Sequence, residues 1–256
     1  MAEKSQSGAP RVLVVIPARY GSTRFPGKAL ADLAGRPLIV RVAEMAAGIR
    51  GADEVVVATD DARIEQAVTA AGFSCEMTGQ HPTGTDRIGE VAARRPADIV
   101  LNVQGDEPLL DPEVVTDLIE AMVADPDLDI GTCAHRFQDE AGWADPNQVK
   151  VVRDLAGRAL YFSRAPIPGT FPGADQAAWT RVLRHVGIYA FRRNALQRFL
   201  SLERTPLEEC EGLEQLRALE NGLRIKVIEI EDAPVGVDTP EDLEQVRKLW
   251  GPGRES

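Results

Sequence analysis

The sequence predicts an α/β fold: a mostly parallel sheet with helices on both faces and an antiparallel excursion in the second half. Three observations carry this. Val12-Leu13-Val14-Val15-Ile16 is an unbroken apolar run with β-branched members, as expected of a strand buried on both faces. Short β-branched runs then alternate with helical patterns, which calls for right-handed βαβ crossovers. Beyond residue 145 the pattern changes to two strand-like runs joined by Asp154-Leu155-Ala156-Gly157, a hairpin signal.

Taken in order, the first strand, Val12–Ile16, is expected to stop at Pro17. A helix follows at 37–47, then a strand at 54–58, a helix at 62–71 and a short strand near 73–77. A helix near 86–93 leads to a strand at Ile99–Val103. The next helix, 112–123, has Pro112 at its first position and Glu113 in its first turn, a good start signal. The hairpin pairs 148–153 with 158–162, and the Pro- and Gly-rich stretch 165–178 reads as a loop. A strand at 184–191 and a helix at 206–221, with Gly222 just past its end, precede a strand at 226–230 and a helix at 239–250. Gly212 falls inside the 206–221 helix, where glycine is unfavourable.

The chain has 256 residues, 44% of them hydrophobic, enough for one large domain. Residues 1–10 are expected to be a flexible tail and 11–250 the domain. A net charge of −11 argues against a general nucleic-acid binder, which presents a basic face. The three cysteines lack a Cys-x-x-Cys spacing and read as free thiols of a reducing compartment. The polar N-terminus lacks a signal-peptide core, and no apolar stretch reaches the ~20 residues of a membrane span. The expectation is a cytoplasmic protein with no membrane partner.

Against this acidic background, Arg19, Arg24 and Lys28 cluster in the loop after the first strand, with Gly21 and Gly27 freeing its backbone. Such a cluster asks for an anion with several charges, of which a nucleoside triphosphate is the obvious candidate. The loop is not a Walker A motif: five residues separate its glycines and Ala29 follows Lys28, so the magnesium-binding hydroxyl is missing. Two acidic residues sit at strand-to-helix junctions, Asp106 in Gln104-Gly105-Asp106-Glu107-Pro108 and Asp238 in Gly236-Val237-Asp238-Thr239-Pro240. Open α/β sheets bind ligands at such junctions, although Gly-Asp also suits a plain turn. Thr239, Pro240 and Asp242 are accounted for as a helix cap, which leaves Asp238 over. Two hard carboxylates near a triphosphate imply Mg²⁺.

The cationic loop resembles the signature of the nucleotide-sugar pyrophosphorylases, and in detail that of the CTP:3-deoxy-manno-octulosonate (Kdo) cytidylyltransferases. Further blocks resemble the same family in order, from Val12 to Leu249. The resemblance implies a single Rossmann-like nucleotidyltransferase domain with a CTP-binding part at 11–123, an acceptor-binding and dimerisation part at 124–225, and a return to the main sheet at 226–250. It implies CTP contacts from Arg19, Ser22, Arg24 and Lys28, and Mg²⁺ on Asp106 and Asp238. Gly84-Thr85-Asp86-Arg87 is similar to the family's nucleoside-binding segment, with Arg87 the residue carried over; read by itself, the block is a helix start capped by Thr85 or Asp86. Arg184-His185-Val186-Gly187-Ile188-Tyr189 alternates so that His185, Gly187 and Tyr189 share a face, and it resembles the strand lining the Kdo pocket. A lone histidine on a strand is otherwise a structural residue. Arg164 suits a carboxylate. Glu214 and Gln215, in Leu213-Glu214-Gln215-Leu216-Arg217, match sugar-binding positions, and Gln104 is expected to touch the acceptor as well.

The expected function is therefore a Mg²⁺-dependent cytidylyl transfer from CTP to Kdo by a homodimeric enzyme, with Arg19, Lys28, Asp106 and Asp238 as the catalytic set. Two other readings stay open. One keeps the chemistry but uses another acidic acceptor: an 8-amino Kdo analogue, a sialic-acid-like keto acid or a phosphonate. The other is a non-catalytic CTP-binding protein on the same fold.

Overall fold

The computed structural model describes residues 8–22, 24–172, 177–233 and 235–251. The chain opens with β1 (Val12–Ala18), a 3₁₀ turn at Lys28–Leu30, the short antiparallel pair β2 (Asp32–Leu33) and β3 (Arg36–Pro37), and α1 (Leu38–Ala46). β4 (Glu54–Thr59), α2 (Ala62–Ala70), β5 (Cys75–Met77), α3 (Gly84–Arg94), β6 (Ile99–Asn102) and α4 (Pro112–Ala124) follow. The second half holds β7 (Ile130–Arg136), α5 (Glu140–Ala144), β8 (Lys150–Arg153), β9 (Ala159–Ser163) and β10 (Leu183–Arg192). It ends with α6 (Arg193–Ser201), α7 (Pro206–Glu211), α8 (Gln215–Glu220), β11 (Ile225–Glu229) and α9 (Pro240–Leu249).

The main sheet runs β11-β7-β10-β6-β1-β4-β5, and the β8–β9 hairpin joins it through β10. All neighbours on this path are parallel except those of β10, which runs antiparallel to β6 and β7. The expected α/β fold with an antiparallel excursion is what forms. Along β1, Val12, Val14 and Ile16 pack into a cluster with α1, α2 and α4, while Leu13 and Val15 face α3, α6 and α8. This two-sided burial is why the run is continuous rather than alternating. The chain moves outward from β1 to β4 and β5, then returns to β6 on the other side of β1. That reversal opens a crevice at the carboxyl ends of β1 and β6, the topological switch point.

β1 does not stop at Pro17: the strand reaches Ala18, with Pro17 in register with Ala58. Val15 accepts the last hydrogen bond from the β6 side, from Val103, and Pro17 has the same orientation two residues on. Its missing N–H would have pointed where that ladder has already ended, so nothing is lost. β6 diverges there because Gly105 lies on the Pro17 carbonyl; a Cβ on Gly105 would sit 2.7 Å from that oxygen.

The expected 206–221 helix is two helices. Gly212 adopts φ 63°, the left-handed region, and ends α7, so it is a helix stop and not an interior defect. The cap of α3 is Thr83, whose hydroxyl accepts from the Asp86 amide at 3.1 Å, in place of Thr85 or Asp86. Gly21 has neither a positive φ nor any atom within 4 Å of a built Cβ; of the two loop glycines, Gly27 supplies the left-handed backbone, at φ 73°. β7, α5 and α6 were not expected. The 1–10 tail lies outside the described residues up to residue 7, as do residues 173–176 of the 165–178 loop.

Candidate active site

The loop after β1 folds back on the Tyr20 carbonyl, which accepts from the Ser22 and Gly27 amides at 3.0 Å each. The 3₁₀ turn then aims Lys28 across the crevice. Its ammonium donates to Asp106 Oδ2 at 2.7 Å and to Asp238 Oδ1 at 3.2 Å. Arg24 reaches the other oxygen of Asp238 at 3.0 Å. Arg19 stands exposed at the crevice and makes no ion pair or side-chain hydrogen bond among the described residues.

Both carboxylates are held from behind. Gly105 seats Asp106 against β1, and the Asp106 carbonyl accepts from the Val237 amide at 2.8 Å, tying the two acidic loops together. Asp242 in the capping box of α9 accepts from the Asp238 and Thr239 amides at 3.0 and 2.8 Å. Asp238 thus sits one residue before Thr239, the N-cap of a helix whose start is locked. Glu107, which sequence reasoning passed over, points into the interior with Oε2 unpartnered among the described residues. Burial, reinforced by Asp106 and Asp238, pushes its carboxyl up to about 8, so it adds little negative charge to the pair at neutral pH. Its only signal in the sequence was its place in Asp-Glu-Pro.

Behind this rim lies a cavity of about 430 Å³ lined by Arg19, Ser22, Arg24, Lys28, Arg87, Gln104, Asp106, Glu214 and Asp238, and by the N-terminal turn of α3 at Thr83 and Gly84. A helix N-terminus with free amides favours phosphate. Arg87 is buried and fixed by Asp60 at 3.1 Å and the Thr78 hydroxyl at 2.5 Å. It forms a rigid wall.

The structure therefore gathers nine of the residues singled out in the sequence around one cavity. Arg164, His185, Tyr189 and Gln215 are not among its lining residues. His185 and Tyr189 lie beside it on β10, linked through Gln104, which donates to the Gly187 carbonyl at 2.9 Å. Two extra residues of β10 bulge out between Val186 and Tyr189. An even insertion preserves parity, so His185 and Tyr189 stay on one face, rings 5.4 Å apart, while Gly187 sits in the bulge. Burial lowers the His185 pKa to about 3 and raises that of Tyr189, with Glu214 adding to the latter. Glu214 directly precedes α8, accepts from the Thr85 hydroxyl at 3.0 Å, and has its pKa raised by burial. Gln215 is buried at the start of α8. Arg164 is engaged with its own scaffold, donating to the Glu211 carbonyl at 2.7 Å and the Pro146 carbonyl at 3.1 Å. Glu211 in turn accepts from Ser163 at 2.7 Å and the Arg164 amide at 2.8 Å.

Among the described residues no group of three or more His, Cys, Asp or Glu side chains could hold a metal ion. A cation here would take two carboxylates and complete its shell elsewhere. No helix among the described residues is long and apolar enough to cross a membrane.

Comparisons with known proteins show the family to which the chain belongs. Residues 13–226 match the Cytidylyltransferase family model. A 3-deoxy-manno-octulosonate cytidylyltransferase of Geobacter metallireducens is 49% identical over 92% of this chain and 96% of its own length. Its counterpart in Solibacter usitatus is 46% identical over 94% of both chains. Among solved structures, a CMP:2-keto-3-deoxy-manno-octonic acid synthetase complexed with CTP superposes with a TM-score of 0.89 at 47% identity, covering 93% of this chain and 98% of that one. A cytidylyltransferase of Leptospira borgpetersenii, 18% identical with a TM-score of 0.63 over 96% of this chain and 90% of its own, shares the fold. The chain belongs to the 3-deoxy-manno-octulosonate cytidylyltransferase family of nucleotidyltransferases.

Proposed function

We propose that this chain activates Kdo by cytidylyl transfer. The anomeric C2 hydroxyl attacks the α-phosphorus of CTP in line. The new O–P bond forms as the bond to the β-phosphate oxygen breaks, giving CMP-Kdo and pyrophosphate. The observation that carries this reading is the convergence of Asp106 and Asp238 on one ammonium beneath a cationic loop, at the rim of a cavity of triphosphate size. The names and the bound CTP of the relatives supply the acceptor and the base.

In this reading Arg19, Arg24 and Lys28 neutralise the triphosphate and the departing pyrophosphate, with Ser22 alongside. Arg87, immobilised by Asp60 and Thr78, bounds the nucleoside end. Gln104, Glu214 and Gln215 meet the sugar hydroxyls, together with His185 and Tyr189. Arg164 retains N–H groups beyond the two its carbonyl partners take, and these are available to the acceptor carboxylate. The site fits Mg²⁺: two hard carboxylate oxygens already lie within 3.2 Å of one cation, and this ion takes one or two carboxylates plus phosphate oxygens and water. Asp106 and Asp238 would hold it, and when bound it supplies charge neutralisation and a lower pKa for the attacking hydroxyl. Catalysis by the protein itself is then positioning and preorganised charge. The reading also makes the protein a homodimer, as the family resemblance implies, which sedimentation tests, and a cytoplasmic one, in line with the expectation from its cysteines and apolar pattern.

The test is pyrophosphate release with Mg²⁺ and each of the four nucleoside triphosphates, with and without Kdo. Release that requires both CTP and Kdo supports the reading. Release with CTP and another keto acid, but not Kdo, moves the acceptor assignment. CTP binding without release under any acceptor overturns the enzymatic reading.

A further inference from the structure

The bulge in β10 places three backbone carbonyls and a histidine around one hydroxyl and one amide. Thr132, on β7, is fully buried. Its Oγ1 lies 2.8 Å from the Ile188 carbonyl, 3.2 Å from the Val186 carbonyl and 3.0 Å from His185 Nε2. Gln104 takes the remaining carbonyl of the bulge, that of Gly187, at 2.9 Å.

A threonine hydroxyl has one hydrogen and two lone pairs. Carbonyl oxygens only accept, so that hydrogen is directed to the bulge, to Ile188 at the shortest distance. The contact with His185 must then run the other way, from Nε2–H into an Oγ1 lone pair. With the opposite tautomer, two lone pairs would face each other at 3.0 Å, or the bulge carbonyls would lose their donor in a buried place. An unmet polar group there is costly. Burial keeps the ring neutral at pH 7, so one nitrogen carries the proton and the other does not. Nδ1 has no hydrogen-bond partner among the described residues, and the residue is partly rather than fully buried. Phe162 and Tyr189 flank the ring, with centroids 5.1 and 5.4 Å away, and fix its plane.

We infer that Thr132 is a positioning residue that locks His185 in the Nε2–H tautomer, leaving Nδ1 as a hydrogen-bond acceptor for a hydroxyl of the sugar substrate. The last clause rests on the reading of His185 as an acceptor-side residue; the tautomer does not. Because the same hydroxyl holds the bulge that Gln104 also grips, Thr132 couples the shape of β10 to the side of the cavity where the sugar is placed.

The chain has three histidines, so ¹⁵N-resolved imidazole spectra of the full-length protein at pH 7 are assignable with His185→Gln as the reference. Without substrate, His185 is expected to show a protonated Nε2 and an unprotonated Nδ1. A protonated Nδ1 overturns the inference, whatever the enzyme's substrate. On adding CTP and Kdo, Nδ1 should shift as a lone pair that accepts a hydrogen bond; an unmoved Nδ1 removes the substrate contact. Thr132→Val should mix the tautomers and raise KM for Kdo about tenfold or more, with the CTP dissociation constant unchanged. Thr132→Ser, which keeps the hydroxyl, should restore both. A valine variant that folds with the same tautomer and the same KM refutes the positioning role. If valine does not fold, the parent spectrum and the serine variant still decide the matter.

Discussion

Lys28→Met removes an ammonium while keeping the length and packing of its stem, and the geometry sets opposite consequences for two ligands. In the free protein the ammonium already spends two charge-assisted bonds, at 2.7 Å to Asp106 and 3.2 Å to Asp238. The lysine side chain is 15% exposed, but the carboxylates are 30% and 50% exposed. Solvent screening therefore discounts each contact to about 1 kcal/mol net. A divalent cation seeking the same oxygens must displace both, about 2 kcal/mol in all, or roughly a factor of 30 in Kd. Nucleotide-free Lys28→Met should accordingly bind Mn²⁺, a spectroscopic stand-in for Mg²⁺, roughly thirtyfold more tightly than the parent. CTP without metal should bind more weakly, by roughly tenfold or more, since one phosphate partner is gone. Electron paramagnetic resonance counts free Mn²⁺, and calorimetry reads CTP. If the variant's Mn²⁺ affinity is equal or weaker, Lys28 does not compete with the metal for these carboxylates. If CTP affinity is unchanged, Lys28 is not a phosphate ligand.

Asp106→Asn should lower turnover on the order of 100-fold, the scale of losing one preorganised electrostatic contact; near-normal turnover with normal magnesium dependence would remove Asp106 from the metal site. Gly105→Ala places a Cβ 2.7 Å from the Pro17 carbonyl, a backbone atom that cannot swing aside. It should cost about 1–3 kcal/mol of stability and misplace Asp106, and an unchanged melting temperature would show that the loop gives way freely. His185 is held unprotonated down to about 3, whereas an unfolded histidine titrates near 6.5. The unfolded chain thus binds the extra proton between these values, and stability present above pH 6.5 is lost progressively as pH falls towards 3. His185→Gln should flatten that acid limb in urea midpoints measured from pH 7 to 4. Some slope should remain, because burial and Arg184 also lower the pKa of His135. A variant limb as steep as the parent's would refute the assignment.

Much of this protein was legible before folding because its signals are local. The apolar run of β1 declares a strand buried on both sides. Pro112 and Glu113 open α4, and Thr239 with Pro240 and Asp242 cap α9, as their spacing implies. The cationic loop and both acidic junctions lie where the chain leaves a strand, so their approximate place followed from the α/β pattern. β7 was missed because Ile130-Gly131-Thr132-Cys133-Ala134-His135-Arg136 lacks a strand-like composition. Its extended form comes from β10 and β11 on either side, and α4 packs closely on it: a Cβ at Gly131 would meet the end of the Leu118 side chain at 2.8 Å. Gly212 was misread because helix propensity is blind to a left-handed stop.

What folding alone decided are the partnerships between distant residues. Lys28 meets Asp106 across 78 residues of sequence and Asp238 across 210. Thr132 meets His185 across 53, and Glu107 becomes a near-neutral acid through burial between loops. Residue type and local spacing announce a charge or a hydroxyl. Its partner, its protonation and the direction of its hydrogen bond depend on which strands become neighbours, and that is settled only when the sheet closes over both of its cores.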